Sequence, residues 1–246
     1  MDMERLGAQS LNSLERFVTR LASHLGQPAK KRAKDEEFWW VYRKENLPVL
    51  LVAKAVRATS ALNAAWILAS KGLGTECAVL LRAATDFANE IVAMSVSGVT
   101  GELNKAQQEF MSQFFDKQPD SIDEFRAMER EPFVARRKLY AAYQSFAEQN
   151  SQGDEPIRDV SSFIDYKLDK YVHGSYRSAM ELYNGQTRLF QMFGIEEKRP
   201  EAQRIVLLKI VQMLNALSFV AWLFGDRAVR AEIIQARKVL DDALSD

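Results

Sequence analysis

The chain of 246 residues has a single cysteine, Cys77, and only two histidines. One cysteine cannot form an internal disulfide, and this usage fits a reducing compartment, so we expect a cytoplasmic protein. The sparse cysteine and histidine leave no ligand spacing for a zinc site, and we predict neither a metal nor another cofactor. The first seventeen residues are acidic and amphipathic, whereas a secretion signal is basic and then continuously apolar.

Net charge is also lacking, because 33 basic side chains balance 33 acidic ones. Without a global field to attract nucleic acid or an anionic membrane, any such binding must be local. Two segments, at about 30–43 and 136–143, interleave cations with aromatic residues as single-strand binders do. Acidic neighbours dilute both, so RNA is an alternative partner only, and no DNA-binding motif is present.

Signals for β-strands are nearly absent as well, since no sustained alternation of apolar and polar residues occurs. Apolar residues recur instead with a helical period, and glycines and prolines fall between the periodic segments. We therefore predict an all-α protein, with a single domain over residues 1–246. Its core at about 48–225 is an antiparallel helical bundle, with peripheral helices at 1–47 and 226–246. The predicted bundle helices are 48–71, 75–97, 160–184 and 200–224.

Only one long apolar run is present, at residues 205–224, where sixteen of twenty residues are apolar. Its four polar residues recur every third position: Lys209, Gln212, Asn215 and Ser218. In a membrane this polar line would face lipid unless other helices covered it, so we predict a buried bundle helix rather than a transmembrane one.

The most informative pattern is a second stripe on the helix predicted at 160–184. Six residues at steps of three and four form this stripe: Tyr166, Asp169, His173, Tyr176, Met180 and Tyr183. At about 100° per residue they share one face, roughly a third of a turn from an apolar stripe. A helix needs one such face to join a core, so the second requires a partner, a ligand or a polar cleft. Gly174 either permits close backbone approach or breaks the helix.

A polar face on the helix from Thr75 offers partners for that stripe. Arg82, Asp86 and Glu90 lie within about 100° of arc. If this face points inward, Arg82 and Asp86 pair beside the stripe and complete a polar centre; if it points outward, it is a solvated surface. A similar line that begins at Lys54 on the preceding helix is predicted to be solvated. The candidate ligand-binding or polar-centre residues are Arg82, Asp86, Glu90, Tyr166, Asp169 and Tyr176.

Two segments, LLRAATDFANEIVAM and FIDYKLDKYVHGSYRSAMELY, carry a family resemblance. They look like an uncharacterised family of bacterial all-helical proteins with an Arg-x-x-x-acid motif on one core helix and a His-Gly-Ser motif on a later one. The matching residues are Arg82, Asp86, His173, Gly174 and Ser175. Such proteins are reminiscent of the HEPN class, helical bundles often found as RNA-cleaving toxins or abortive-infection effectors. The HEPN motif has an arginine four to six residues before a histidine, and in this window only Lys167 can take its place.

The resemblance implies a metal-independent ribonuclease, in which His173 acts as acid or base while Lys167, Arg177 or Arg82 stabilises phosphate charge. We hold this as the alternative hypothesis, for a toxin or phage-defence system. Our leading hypothesis is a cytoplasmic bacterial protein that forms a homo-oligomer. Its polar centre at His173, Arg82 and Asp86 would serve binding or structure.

Overall fold

The described part of the chain is helical apart from connections and two pairs of very short strands, which confirms the predicted all-α class. The computed structural model describes residues 2–32, 38–101, 103–115, 168–184 and 186–245, together with six isolated residues between 123 and 166. Within these ranges the helices are α1 (Met3–Ser23), α2 (Leu47–Ala69), α3 (Gly74–Thr100), α4 (Lys105–Phe115), α5 (Tyr176–Met180), α6 (Arg199–Leu223) and α7 (Arg227–Ser245). The strands are β1 (Ala29–Arg32), β2 (Phe38–Val41), β3 (Tyr183–Asn184) and β4 (Leu189–Phe190).

One hydrophobic cluster joins α1, α2, α3, α6 and α7. Short turns at Gly72 and Gly225 fold α2 against α3 and α6 against α7, and α1 packs on α2, α6 and α7. The largest fully buried side chains include Leu14, Phe17 and Leu21 of α1, Leu50 and Leu62 of α2, Ile91 and Met94 of α3, and Leu207 and Ile210 of α6. The helices α1 and α7, predicted to pack around the bundle, each contribute an amphipathic face to this cluster.

The predicted continuous helix over 160–184 is interrupted at Gly174. The N–H of Gly174 donates to the carbonyl of Tyr171 at 3.2 Å, and that of Ser175 to the carbonyl of Lys170 at 3.0 Å. With Gly174 at a φ of 58°, these two bonds form a Schellman motif, which ends a helix. Residues 168–172 are thus the end of one helix, and α5 is a separate short one. Neither helix belongs to the central hydrophobic cluster, so the bundle helix predicted at 160–184 is not observed in the described residues.

The two strand pairs were not predicted, because two to four residues are too few to show alternation. β1 pairs antiparallel with β2, and β3 with β4. The turn between β3 and β4 has a local cause: the Asn184 side-chain oxygen accepts from the N–H of Gln186 at 2.9 Å and of Thr187 at 3.0 Å. These strand pairs are small additions to a fold that is otherwise helical.

Among the described residues, Leu47–Ala69 and Glu196–Leu223 are long and apolar enough to cross a membrane, and about half of each apolar window is buried inside the protein (50% and 56%). The sequence analysis identified only the second. Its polar line contacts neighbouring helices: Gln212 Nε2 donates to Asn89 Oδ1 of α3 at 2.9 Å, and Arg237 of α7 donates to Asn215 Oδ1 at 2.9 Å. Gln212 and Asn215 thus join α6 to both neighbours, as expected for a bundle helix.

Candidate functional site

The polar face of α3 points inward at its first half. Arg82 Nε donates to Asp169 Oδ1 at 2.7 Å, and Arg82 Nη1 also pairs with Asp86 Oδ1 one turn along α3. The Arg82 residue is 7% exposed. We call Arg82, Asp86 and Asp169 the outer ion cluster. The inward alternative for this face is therefore the one observed, and the polar residues of α3 and of the 160–184 segment do meet.

Glu90, also a candidate for the polar centre, belongs to a different group. Its Oε2 lies 2.6 Å from Nζ of Lys54 on α2, and both residues are 8% exposed. We call Lys54 and Glu90 the inner ion pair. The Lys54 ammonium also lies 4.9–5.4 Å from the ring centroids of Phe87, Phe110 and Phe114. These distances are typical of cation–π contacts.

Helix α4 supplies two of those rings because Gln107 attaches it to α3. The Gln107 side-chain amide donates to the carbonyl of Ala93 at 3.1 Å and to Ser97 Oγ at 2.7 Å. The prediction that Lys54 is solvated is wrong. The burial of Lys54 could not be predicted from the sequence, because Lys54 and the exposed Arg57 follow a similar helical spacing. Only the position of α4 makes one buried and leaves the other exposed.

His173 and the tyrosines of the second stripe do not enter the outer ion cluster. The side chains of Tyr166, His173 and Tyr176 are exposed, with Tyr176 at 82%. The Asp169 carboxylate accepts from Arg82, and within the described residues no hydrogen bond joins it to the His173 imidazole. His173 lies at the end of its helix, directly before Gly174, and its N–H donates to the carbonyl of Asp169 at 3.0 Å. Lys167 and the side chain of Arg177 lie outside the described residues.

The segment after His173 exposes many apolar side chains. Seven of them form what we call the hairpin surface: Tyr176, Met180, Tyr183, Leu189, Phe190, Met192 and Phe193. Phe193 is 94% exposed, and the rings of Tyr183 and Phe190 contact each other edge to face at 5.3 Å between centroids. The sequence indicated part of this surface, through the stripe, but not the part after Tyr183.

Contacts at both ends anchor this segment to the bundle. Before it, Asp169 binds Arg82 of α3. After it, the N–H of Ile195 donates to the carbonyl of Gly72 at 3.0 Å, and Ile195 itself is buried. The exposed apolar side chains therefore lie between two fixed points, which limits the conformations that the segment can adopt.

The structure also describes Cys77 and part of the two cation–aromatic segments. Burial raises the pKa of the Cys77 thiol to about 12, so the reactive thiolate is scarce at neutral pH. In the first cation–aromatic segment, Lys30 Nζ lies 5.3 Å from the Trp40 ring centroid, within the β1–β2 pair. Arg136 and Arg137 of the second segment lie outside the described residues. Within the described ranges, no group of three His, Cys, Asp or Glu side chains has the arrangement of a metal site.

The geometry limits what the outer ion cluster can do chemically. Two carboxylates share the Arg82 guanidinium, so its positive charge is already neutralised and little is left to stabilise a phosphate.

Comparison of the chain with family models, curated proteins and solved structures gave no match. Any functional proposal therefore depends on the residues themselves.

Proposed function

We propose that this protein is a helical binding module that self-associates, with the hairpin surface of one copy packed against that of a second. The observation that carries the proposal is the exposure of seven apolar or aromatic side chains within residues 176–193. Monomeric proteins seldom expose apolar residues in such a concentration without a binding role. Tyrosine, phenylalanine and methionine are also the residue types enriched in protein interfaces.

The size of the surface suits a second copy. From the exposed fractions of the seven side chains, its area is of the order of 700 Å², close to the ~800 Å² that each partner buries in a standard interface. A smaller ligand would leave much of the hairpin surface exposed to water. The anchors at Asp169 and Ile195 hold the segment in place before association, which lowers the entropy lost on binding.

The charge distribution also favours a copy of this chain over a charged partner. Charged residues are few in residues 176–193: Arg177, Glu181 and Arg188. A surface of mixed and low charge has no strong field for nucleic acid. An apolar surface is complementary to itself, and two-fold pairing brings the same residues together from both copies.

The outer ion cluster supports a structural role within this module. Because Arg82 holds Asp169, it fixes the point from which the hairpin segment leaves the bundle. The HEPN-like ribonuclease alternative stays a prediction: besides His173 it would use Lys167, Arg177 or Arg82 to stabilise the phosphate, and Lys167 and the Arg177 side chain lie outside the described residues.

The experiment is sedimentation velocity of the purified chain over a concentration series that reaches about 100 µM. We expect a dimer, and we expect Phe193→Asp to raise its dissociation constant about 30-fold or more, because it places a charge in the centre of an apolar interface. The matched control is Ile67→Asp, which adds the same charge at an isoleucine of α2 that is 64% exposed. It should leave the dimer unchanged.

Two results would overturn the proposal. One is a wild-type monomer throughout the series, and the other is a dimer that Phe193→Asp weakens no more than Ile67→Asp does. A monomer that sediments with phosphatidylcholine vesicles through Phe193 would replace the second copy by a lipid surface, and this also contradicts self-association.

A further inference from the structure

A cavity of about 680 Å³, half open to solvent, lies at the turn between α6 and α7, and none of its lining residues belongs to the outer ion cluster or the hairpin surface. Its walls combine two arginines, Arg227 and Arg230, with apolar side chains that include Trp222 and Ile234. The volume falls within the ~300–1,000 Å³ of small-molecule sites, which are mostly apolar with a few polar groups.

The two arginines bring two positive charges to the cavity wall. Among the described residues, no carboxylate pairs with the guanidinium of Arg227 or Arg230. The nearest acidic residue in sequence, Asp226, is engaged elsewhere: Oδ1 accepts from the N–H of Val229 at 2.9 Å and Oδ2 lies 3.0 Å from His24. The cavity is therefore locally cationic in a chain whose net charge is zero.

A cation–π contact places one of these cations beside the indole. The Arg230 guanidinium lies 5.0 Å from the Trp222 ring centroid, and its Nε is buried without a hydrogen-bond partner among the described residues. A guanidinium in contact with an aromatic face can still donate its terminal N–H groups to an anion, in a geometry that matches a carboxylate or a phosphate.

We propose that this cavity binds a small organic oxyanion, a carboxylate or a phosphate carried on an aromatic or other apolar body. The oxyanion contacts Arg230 and Arg227, and the apolar body lies against Trp222 and Ile234. Carboxylate and phosphate share the acceptor chemistry that the arginines recognise, so the experiment separates the two sources.

The test is calorimetric titration of the full chain with four probes: benzoate, phenyl phosphate, inorganic phosphate and benzyl alcohol. We expect at least one of the two aromatic anions to bind, and the tighter one identifies the oxyanion. Inorganic phosphate should bind about tenfold more weakly than the tighter aromatic anion because it lacks the apolar body, and benzyl alcohol should not bind because it lacks the charge. Indole fluorescence should change on binding, and Trp222→Phe should abolish that change.

Three variants assign the contacts. Arg230→Gln should weaken the tighter probe about tenfold, and Arg227→Gln should weaken it by a smaller factor. Arg227 is exposed, so its variant keeps the test valid even if Arg230→Gln disturbs folding. Arg57→Gln, at an exposed arginine of α2, is the control and should bind as the wild type does. No binding of either aromatic anion, equal binding of inorganic phosphate, or unchanged affinity in both cavity variants would overturn the proposal.

Discussion

The two ion groups on α3 lie about one helical turn apart, yet they face different surroundings. In the inner ion pair, the side chains of Lys54 and Glu90 are each 10% exposed, and three phenylalanine rings surround the ammonium. In the outer ion cluster, Arg82 is similarly buried but Asp169 is 47% exposed. The inner pair joins helices of the core, whereas the outer cluster joins the core to an exposed segment.

This difference shows that charged residues on the same face of α3 have different structural roles. Breaking a sealed pair leaves a charge that water cannot reach, so the whole bundle is affected. Breaking a half-exposed pair leaves a carboxylate that water solvates, so the effect stays local. We expect the inner pair to determine global stability and the outer cluster to determine the position of the hairpin surface.

The largest expected effect is that of Lys54→Ala. It leaves Glu90 buried without its partner and removes the cation from the three rings, so we expect a loss of roughly 3–5 kcal/mol in the free energy of unfolding. Urea denaturation followed by circular dichroism measures this loss. Replacing both partners with apolar residues, as Lys54→Met with Glu90→Leu, should recover most of it; a double variant as unstable as Lys54→Ala would show that packing, rather than the unpaired charge, causes the loss.

A smaller effect is expected at the outer ion cluster. Asp169→Asn removes the charge from the exposed partner, and we expect a global loss of only about 0.5–1 kcal/mol. Amide hydrogen exchange should nevertheless speed up in residues 168–193 and stay unchanged in α2 and α3. The control is Asp123→Asn, at a carboxylate that is 93% exposed and that pairs with Arg126 in the part of the chain that the structure describes. Uniform exchange across the chain in the Asp169 variant would contradict the division between the two groups.

The smallest effect is the pH dependence of a third pair, at the surface. The Val229 N–H, followed by His24, lowers the pKa of Asp226 below its ordinary value of 3.8. Because the folded pKa is the lower one, this carboxylate stabilises the fold above about pH 4 and the contribution disappears as the pH falls through the folded value. We expect Asp226→Asn, which keeps a capping side chain, to melt slightly below the wild type at pH 7. The two melting temperatures should converge below pH 3.8, and a gap that widens there would contradict the sign.

Much of the fold was predictable because its signals are local. The predicted start of α2 at about residue 48 has local causes, since the Asn46 side chain caps the N–H of Val49 and a proline follows two residues after Asn46. The polar line on α6 indicated a bundle helix, and its contacts with α3 and α7 agree. The break at Gly174 was one of two alternatives in the sequence, and the Schellman bonds decided between them.

The site was less predictable because its parts come from distant positions. Arg82 and Asp169 are 87 residues apart, and a polar helix face has the same sequence pattern whether water or a carboxylate meets it. Lys54 illustrates this point: its spacing predicted a solvated side chain, but Phe110 and Phe114 of α4 cover it. Apolar residues after Tyr183 show no helical period, so the sequence did not reveal most of the hairpin surface.

The sequence by itself determined the all-α class, the positions of α2, α3 and α6 and the presence of two polar faces, because helical period, caps and glycines act on neighbours a few residues away. The tertiary structure alone decided that α1 and α7 bury one face each in the core, that the α3 face is divided into a sealed pair and a half-exposed cluster, and that the seven side chains of the hairpin surface stay exposed. Those outcomes depend on which elements pack together. The elements pack in the arrangement that buries apolar surface over the whole chain, and no local sequence pattern contains that information.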